Sequence, residues 1–149
     1  MEQIPNIEPA QIKLWRLLWV GPLTVALSVV AVIVIRTLAI SILKPDAKFL
    51  PLTSQAPIGD TVFLGACAVL VFFAMGRYSL EPIREYRSLA WKALLVSFGP
   101  DIALAVLHWY DGGWPEALAL MAMHVAVWAI CVTILTTLAA PNGRVTSLP

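Results

Sequence analysis

An uninterrupted apolar stretch, residues 17–35, carries no charged side chain and limits what this chain can become. A transmembrane helix needs about 20 predominantly apolar residues, and this stretch supplies a segment of that length. Of the 149 residues, 60% are hydrophobic and 13% are charged, whereas soluble domains contain about 45–50% apolar and about 25% charged residues. Together with a net charge of +1, this composition excludes soluble, disordered and nucleic-acid-binding proteins. We therefore expect an integral membrane protein that lies in a lipid bilayer.

Four apolar stretches predict four transmembrane helices, so the expected fold class is all-α, an antiparallel up-down four-helix bundle in a single membrane domain. The expected spans are approximately residues 17–43, 61–76, 88–110 and 115–140, with a polar N-terminal arm at 1–13 and an outside loop at 44–60. Asp60 and Thr61 predict the start of the second span, because a carboxylate can cap the free N–H groups of a helix. Pro115 and Glu116 favour the start of the fourth span, since proline and an acid both suit a first helical turn.

The loop between the first two spans combines prolines with apolar side chains. Pro45, Pro51 and Pro57 argue against a long regular helix there. Phe49 and Leu52 give the same loop an apolar surface. We therefore expect it to lie on the membrane surface or on the bundle rather than in water.

The basic residues predict the orientation of the bundle. With both termini in the cytoplasm, the inner side holds Lys13, Arg16, Arg77, Arg84, Arg87, Lys92 and Arg144, and the outer side holds Lys44 and Lys48. Cytoplasmic loops of membrane proteins carry an excess of lysine and arginine. This distribution therefore predicts an N-in, C-in topology.

Under this assignment, all but two of the ten basic and nine acidic residues fall in tails, loops or helix ends. The two that remain inside the membrane are Arg36 and Asp101. Asp101 and His124 each lie nine residues from the outer end of their spans, which places both about 13 Å deep at about 1.5 Å per residue. Their spans are joined by a tight turn, so Asp101 can contact His124. Arg36 lies about 10 Å deep and is expected either to pair with Asp101 or to extend to the outer interface.

The residues before Asp101 predict a break in the third helix. Pro100 has no N–H to donate to the carbonyl of Val96, and Gly99 and Ser97 add a flexible residue and a hydroxyl. Free carbonyls beside a carboxylate coordinate ions in the broken helices of transporters. Ordinary proline-kinked helices contain the same free carbonyls.

Three interpretations of Arg36, Ser97, Asp101 and His124 remain open. They form a satisfied polar staple that fixes the order of the helices, a site for a proton, ion or ligand, or a catalytic pair of Asp101 and His124. No nucleophile and no metal-ligand spacing accompanies the pair in the sequence. The sequence therefore assigns no catalytic residue and no metal site, and it requires no cofactor.

Small residues predict two surfaces for close helix contact. One is the segment of residues 65–68 in the second span. The other is a face of the fourth span formed by Ala119, Ala122, Ala126 and Ala129. We expect this alanine face to receive a protein partner or a second copy of the chain, while His124 projects from another part of the same helix.

The segments Ser97-Phe98-Gly99-Pro100-Asp101 and Met121-Ala122-Met123-His124 in this four-span layout resemble a small bacterial family of membrane proteins of unknown function. The resemblance covers approximately residues 14–140. It implies a four-helix membrane bundle, and we expect a multi-pass protein of the bacterial cytoplasmic (inner) membrane. Asp101 and His124 are signature residues in this resemblance, without an assigned role.

These observations favour a non-enzymatic membrane protein, acting as an accessory or assembly subunit of a complex or as a small interaction protein. The alternative is a protein that binds or translocates a proton, an ion or a small lipophilic ligand at Arg36, Asp101 and His124. A third interpretation is an intramembrane enzyme, because aspartate and histidine can perform acid–base chemistry.

Overall fold

Four long helices make up most of the chain in a computed structural model that describes residues 14–139. The elements are α1 (Leu14–Leu43), the one-turn helix α2 (Leu50–Thr53), α3 (Ala56–Tyr78), α4 (Pro82–Val106), a 3₁₀ turn (Trp109–Asp111) and α5 (Trp114–Leu138). The described residues contain no strand. Helices α1, α3, α4 and α5 are long and apolar enough to cross a membrane. The all-α four-helix bundle predicted from the sequence is confirmed, and by length and composition the chain is a multi-pass membrane protein.

The four long helices pack in the ring order α1, α3, α4, α5. Helix α1 packs mainly on α3 and α5, α4 packs mainly on α5, and the contact between α3 and α4 is smaller. Helices α1 and α4 therefore occupy opposite corners of the bundle. We call the end that carries the connections 44–55 and 107–113 the loop end, and the end where α1 begins and α5 finishes the terminal end.

Helix α3 begins at Ala56, so the predicted start at Asp60 and Thr61 is wrong. Pro57 lies in the first turn of this helix, where its missing N–H is not needed for a helical hydrogen bond. Asp60 is exposed one turn into the helix, and the Thr61 hydroxyl donates to the Pro57 carbonyl at 2.6 Å. The loop between the long helices is correspondingly shorter than predicted.

Helix α4 also departs from its predicted limits of about 88 and 110. It begins at Pro82, because a proline is again accommodated in a first turn. It ends at Val106, since the turn that follows places His108, Tyr110 and Asp111 in the left-handed region, with φ values of 50°, 58° and 60°. A right-handed helix cannot continue through such residues.

Helix α5 starts at Trp114, one residue before the predicted limit. The Gly113 N–H donates to Glu116 Oε2 at 3.0 Å, so the acid of the first turn caps the helix as its position suggested. The predicted N-terminal arm, residues 1–13, and the predicted end of the fourth span at Ala140 lie outside the described residues.

Close approach of α1 and α3 depends on two glycines. A Cβ atom on Gly21 would lie 3.0 Å from Cγ1 of Val69, and a Cβ atom on Gly65 would lie 3.3 Å from Cγ2 of Val25. Each glycine thus receives a valine of the other helix. The close helix contact predicted from the small residues 65–68 is confirmed at Gly65.

The connection between α1 and α3 folds onto the loop end of the bundle. Phe49 is only 1% exposed and Leu52 is fully buried, and both pack in a cluster with Val32 of α1 and Met123 of α5. The Phe49 ring covers Gly112 so closely that a Cβ atom there would overlap it. Of the two positions expected for this loop, the structure shows the one on the bundle.

Candidate functional site

The structure brings Asp101 and His124 together between α4 and α5. Asp101 points into the bundle with its side chain 6% exposed, and its Oδ2 lies 3.4 Å from Nε2 of His124. The His124 side chain is 37% exposed, so the imidazole extends from the buried carboxylate to the surface of the helix pair. The predicted contact between the two residues is therefore present, because a short turn makes α4 and α5 antiparallel neighbours.

The polar groups of this helix pair are incompletely satisfied. Oδ2 of Asp101 is buried and has no hydrogen-bond partner among the described residues. The same holds for Nε1 of Trp128, which lies one turn after His124 on α5. Buried polar atoms in folded proteins are almost always hydrogen-bonded. Oδ2 of Asp101 and Nε1 of Trp128 are therefore the two buried side-chain atoms of the described residues whose hydrogen bonds a bound proton or small polar group could complete.

Arg36 does not join this site. Its Nε donates to the Leu52 carbonyl at 2.8 Å, and its Nη2 donates to the Thr53 carbonyl at 2.7 Å. Helices α1 and α4 stand at opposite corners of the bundle, which separates Arg36 from Asp101. The expected pair with Asp101 is therefore absent, because the guanidinium binds the last carbonyls of α2, in the connection between α1 and α3.

The predicted helix break is absent, since α4 remains helical through Gly99 and Pro100. A single proline removes one hydrogen bond, and the remaining bonds of a long helix hold its conformation. Ser97 donates its hydroxyl to the Leu94 carbonyl at 2.7 Å, within its own helix. Gly99 is exposed, and a Cβ atom there would meet no atom within 4 Å. Of the three, only Ser97 shares the side of α4 that carries Asp101, and its hydroxyl is already engaged within the helix.

The chemical capacity of the site is that of one carboxylate beside one imidazole. Such a pair can hold and exchange a proton. The described residues contain no group of three His, Cys, Asp or Glu side chains that could hold a metal ion. The buried thiol of Cys131, further along α5, lies 4.0 Å from the Ser28 hydroxyl of α1.

Two features of the α4–α5 pair were missed by the sequence reasoning. The first is the indole N–H of Trp128, whose spacing of four residues from His124 places both side chains on one helix face. The second is a hydrogen bond of 3.2 Å from Nη2 of Arg87 to Oγ1 of Thr136. The predicted third span begins at residue 88, so the sequence identifies Arg87 only as a basic residue of the inner side.

The alanine face lies on the opposite side of α5 from His124. Ala122 is exposed, and Ala119, Ala126 and Ala129 are half-buried. Ala122 and His124 are two residues apart, so about 200° separates them around the helix. The two surfaces of α5 are therefore independent of each other.

Comparison with known proteins gives no match to a family model, to a curated protein or to a solved structure.

Proposed function

We propose that this chain is a non-enzymatic integral membrane protein that acts as an accessory, assembly or interaction subunit of a membrane complex. The observation that carries the proposal is the exposed Ala122 at the centre of the alanine face of α5, whereas Ala119 at one edge of this face packs on the core beside α1. Small residues allow two transmembrane helices to approach closely, and their contact is then stabilised by packing. The partner would be a transmembrane helix of another protein or of a second copy.

The shape of this face supports a helix as its partner. Ala122 lies between Leu118 and Val125, which are both exposed. A small residue between larger ones forms a groove that a ridge of a second helix can fill. The limited chemistry of the Asp101–His124 pair supports a non-enzymatic role, since the nearby Ser97 hydroxyl is engaged with its own helix.

The membrane location, the topology and the family of this protein are part of the same proposal. We place the protein in the bacterial inner membrane with both termini in the cytoplasm, as a relative of the four-span family that its signature segments resemble. The exposed cations Arg77, Arg84, Arg87 and Lys92 near the terminal end, against Lys44 and Lys48 at the loop end, support this topology.

A bulky substitution tests the alanine face. Ala122→Leu is expected to abolish co-purification or self-association of the full chain in mild detergent, because the larger side chain prevents close helix approach. Ala93→Leu is the matched control, since Ala93 is an exposed alanine on α4. Equal association of both variants and the wild type, or a strictly monomeric wild type without partner, would contradict the proposal.

A second candidate function is binding or translocation of a proton, an ion or a small lipophilic ligand at Asp101 and His124. The buried Oδ2 of Asp101, which accepts no hydrogen bond from the described residues, favours it, because a carboxylate inside a membrane is costly unless something compensates its charge. His124 is the compensating group within reach, and its exposed part offers a route for exchange. A proton suits the pair best, since the described residues supply no third ligand for a metal ion.

Proton flux into vesicles tests this candidate. Vesicles containing the wild type, an internal pH dye and an imposed potential are expected to acidify faster than empty vesicles. Asp101→Asn is expected to reduce the rate to that of empty vesicles, while Asp60→Asn, an exposed aspartate of α3, leaves it unchanged. A rate for Asp101→Asn equal to that of the wild type would rule the candidate out.

A further inference from the structure

A second polar contact joins α4 and α5 near the terminal end of the bundle. Nη2 of Arg87 donates to Oγ1 of Thr136 at 3.2 Å, and the Thr136 hydroxyl donates in turn to the Val132 carbonyl at 2.7 Å. Thr136 is buried and Arg87 is exposed. The hydroxyl thus holds the guanidinium at the junction of the two helices. A guanidinium has five N–H donors, so most remain available to a ligand.

No carboxylate of the described residues lies within ion-pair distance of Arg87, in contrast to the neighbouring Arg84. Nη1 of Arg84 lies 2.7 Å from Oε2 of Glu81. Glu85 precedes Arg87 by two residues and therefore lies on the opposite side of α4. There it borders a shallow groove with Ala74 and Tyr78 of α3. Within residues 14–139, Arg87 is accordingly a cation that is held by Thr136 and has no anionic partner.

An apolar strip continues from Arg87 along the same side of the helix pair. Trp91, one turn further on, is 50% exposed, with its ring centroid 5.2 Å from that of Trp128. Leu95 and Ile102 continue the exposed strip along α4. From Trp91 to Ile102 the helix rises about 16 Å, approximately one leaflet of a hydrocarbon core of about 30 Å.

We infer that this surface, Arg87 with Thr136 and the strip from Trp91 to Ile102, is a binding site for an anionic phospholipid. The lipid phosphate binds the free N–H groups of Arg87, and an acyl chain follows the strip. Trp91 lies between the two, at the level where tryptophan prefers the membrane interface. The positive charge of Arg87 favours an anionic lipid over a zwitterionic one.

Native mass spectrometry of the purified full chain with added phosphatidylglycerol tests the site. Arg87→Gln is expected to weaken binding about fivefold, the effect of losing one cation near a headgroup. Arg84→Gln removes the same charge from a residue already paired with Glu81 and is expected to leave binding unchanged. Equal losses in the two variants would show a general charge effect and overturn the proposal.

Two further arms separate the lipid site from simpler explanations. Thr136→Val removes the hydroxyl that positions Arg87 and is expected to weaken binding, while Thr137→Val, on an exposed threonine of the same turn, is expected to have no effect. Phosphatidylcholine and soluble glycerol phosphate are expected to bind weakly or not at all. Comparable binding of either compound, with all variants eluting as folded protein, would contradict an anionic lipid site.

Discussion

Arg36 and Asp101 are both charged residues inside helices long enough to cross a membrane, yet their surroundings differ. The Arg36 region, which we define as Arg36, Phe49, Leu52, Thr53 and Gly112, is closed by a loop that packs on the bundle, and two charge-assisted hydrogen bonds hold the guanidinium. The Asp101 region comprises Ser97, Asp101, His124 and Trp128, and it leaves two buried polar atoms without hydrogen-bond partners among the described residues.

The difference follows from what a helical protein offers to each sign of charge. Helix ends and loops expose free carbonyls, so a cation with a long side chain finds acceptors there, as Arg36 does at the end of α2. A carboxylate needs donors, and free N–H groups occur only in the first turn of a helix. Asp101 lies in the interior of α4, where another side chain must supply the donor. A region whose charged group is fully hydrogen-bonded stabilises the fold. A region that keeps unsatisfied polar atoms is suited to bind a proton or a polar ligand.

Loss of the two hydrogen bonds that the Arg36 guanidinium donates to Leu52 and Thr53 is expected to have the largest effect on stability. Arg36→Met removes two hydrogen bonds to carbonyls and should reduce the free energy of unfolding by about 3 kcal/mol, at about 1.5 kcal/mol for each charge-assisted bond. Titration with a denaturing detergent measures it. Arg36→Lys keeps the charge but cannot reach both carbonyls as the planar guanidinium does, and it should lose approximately half as much free energy of unfolding. A loss smaller than that for Asp101→Asn would show that Arg36 contributes less to stability than Asp101.

Gly112→Ala tests how tightly the loop closes the Arg36 region. The added methyl group would overlap the Phe49 ring, and overpacking of this kind costs about 2 kcal/mol. The same unfolding assay measures the loss, and Phe49→Leu in the same chain should restore part of it. Gly113→Ala is the control, since its Cβ would make an ordinary contact of 3.4 Å with Glu116. Equal stability of the two variants would show that the loop adapts to the added group.

Asp101→Asn is expected to change stability by less than about 1 kcal/mol, because the amide has nearly the same shape and removes the desolvation cost of a buried carboxylate, which offsets the lost attraction to His124. The Oδ2 atom has no hydrogen bond to lose in this substitution. Thermal unfolding in detergent, with Asp60→Asn as the exposed control, measures the change. A loss as large as that of Arg36→Met would show that Asp101 and His124 act as a tight staple, and it would remove the distinction between the two regions.

Gly99→Ala is expected to have the smallest effect and the opposite sign. No atom lies within 4 Å of the added Cβ, and alanine is favoured over glycine in a helix by about 0.8 kcal/mol, so the variant should gain up to that amount. Gly65→Ala is the control and should lose stability, since its Cβ would lie 3.3 Å from Val25. Comparing their melting temperatures tests whether the side of α4 at Gly99 is free of helix contacts, in contrast to the close α1–α3 contact at Gly65.

Much of the fold could be read from the order of residues. Apolar stretches of sufficient length predicted the four long helices, because a membrane leaves a chain few other ways to satisfy its backbone. The contact of Asp101 with His124 was also predictable, since a short turn forces neighbouring helices to be antiparallel and counting residues then gives their heights. Helix limits were less accessible, as Pro57 and Pro82 signal a break in one context and a first turn in another.

The remaining features depend on how the helices and the loop come together in space. Arg36 binds Leu52 and Thr53, and Phe49 covers Gly112, because residues 44–55 fold back onto the bundle. Arg87 meets Thr136, 49 positions later, because α4 and α5 pack side by side. Hydropathy and spacing describe each helix separately and carry no information about which faces meet. The amino-acid sequence alone thus specifies which segments form helices long and apolar enough to cross a membrane. The packing of those helices decides which polar side chains are hydrogen-bonded and which are not.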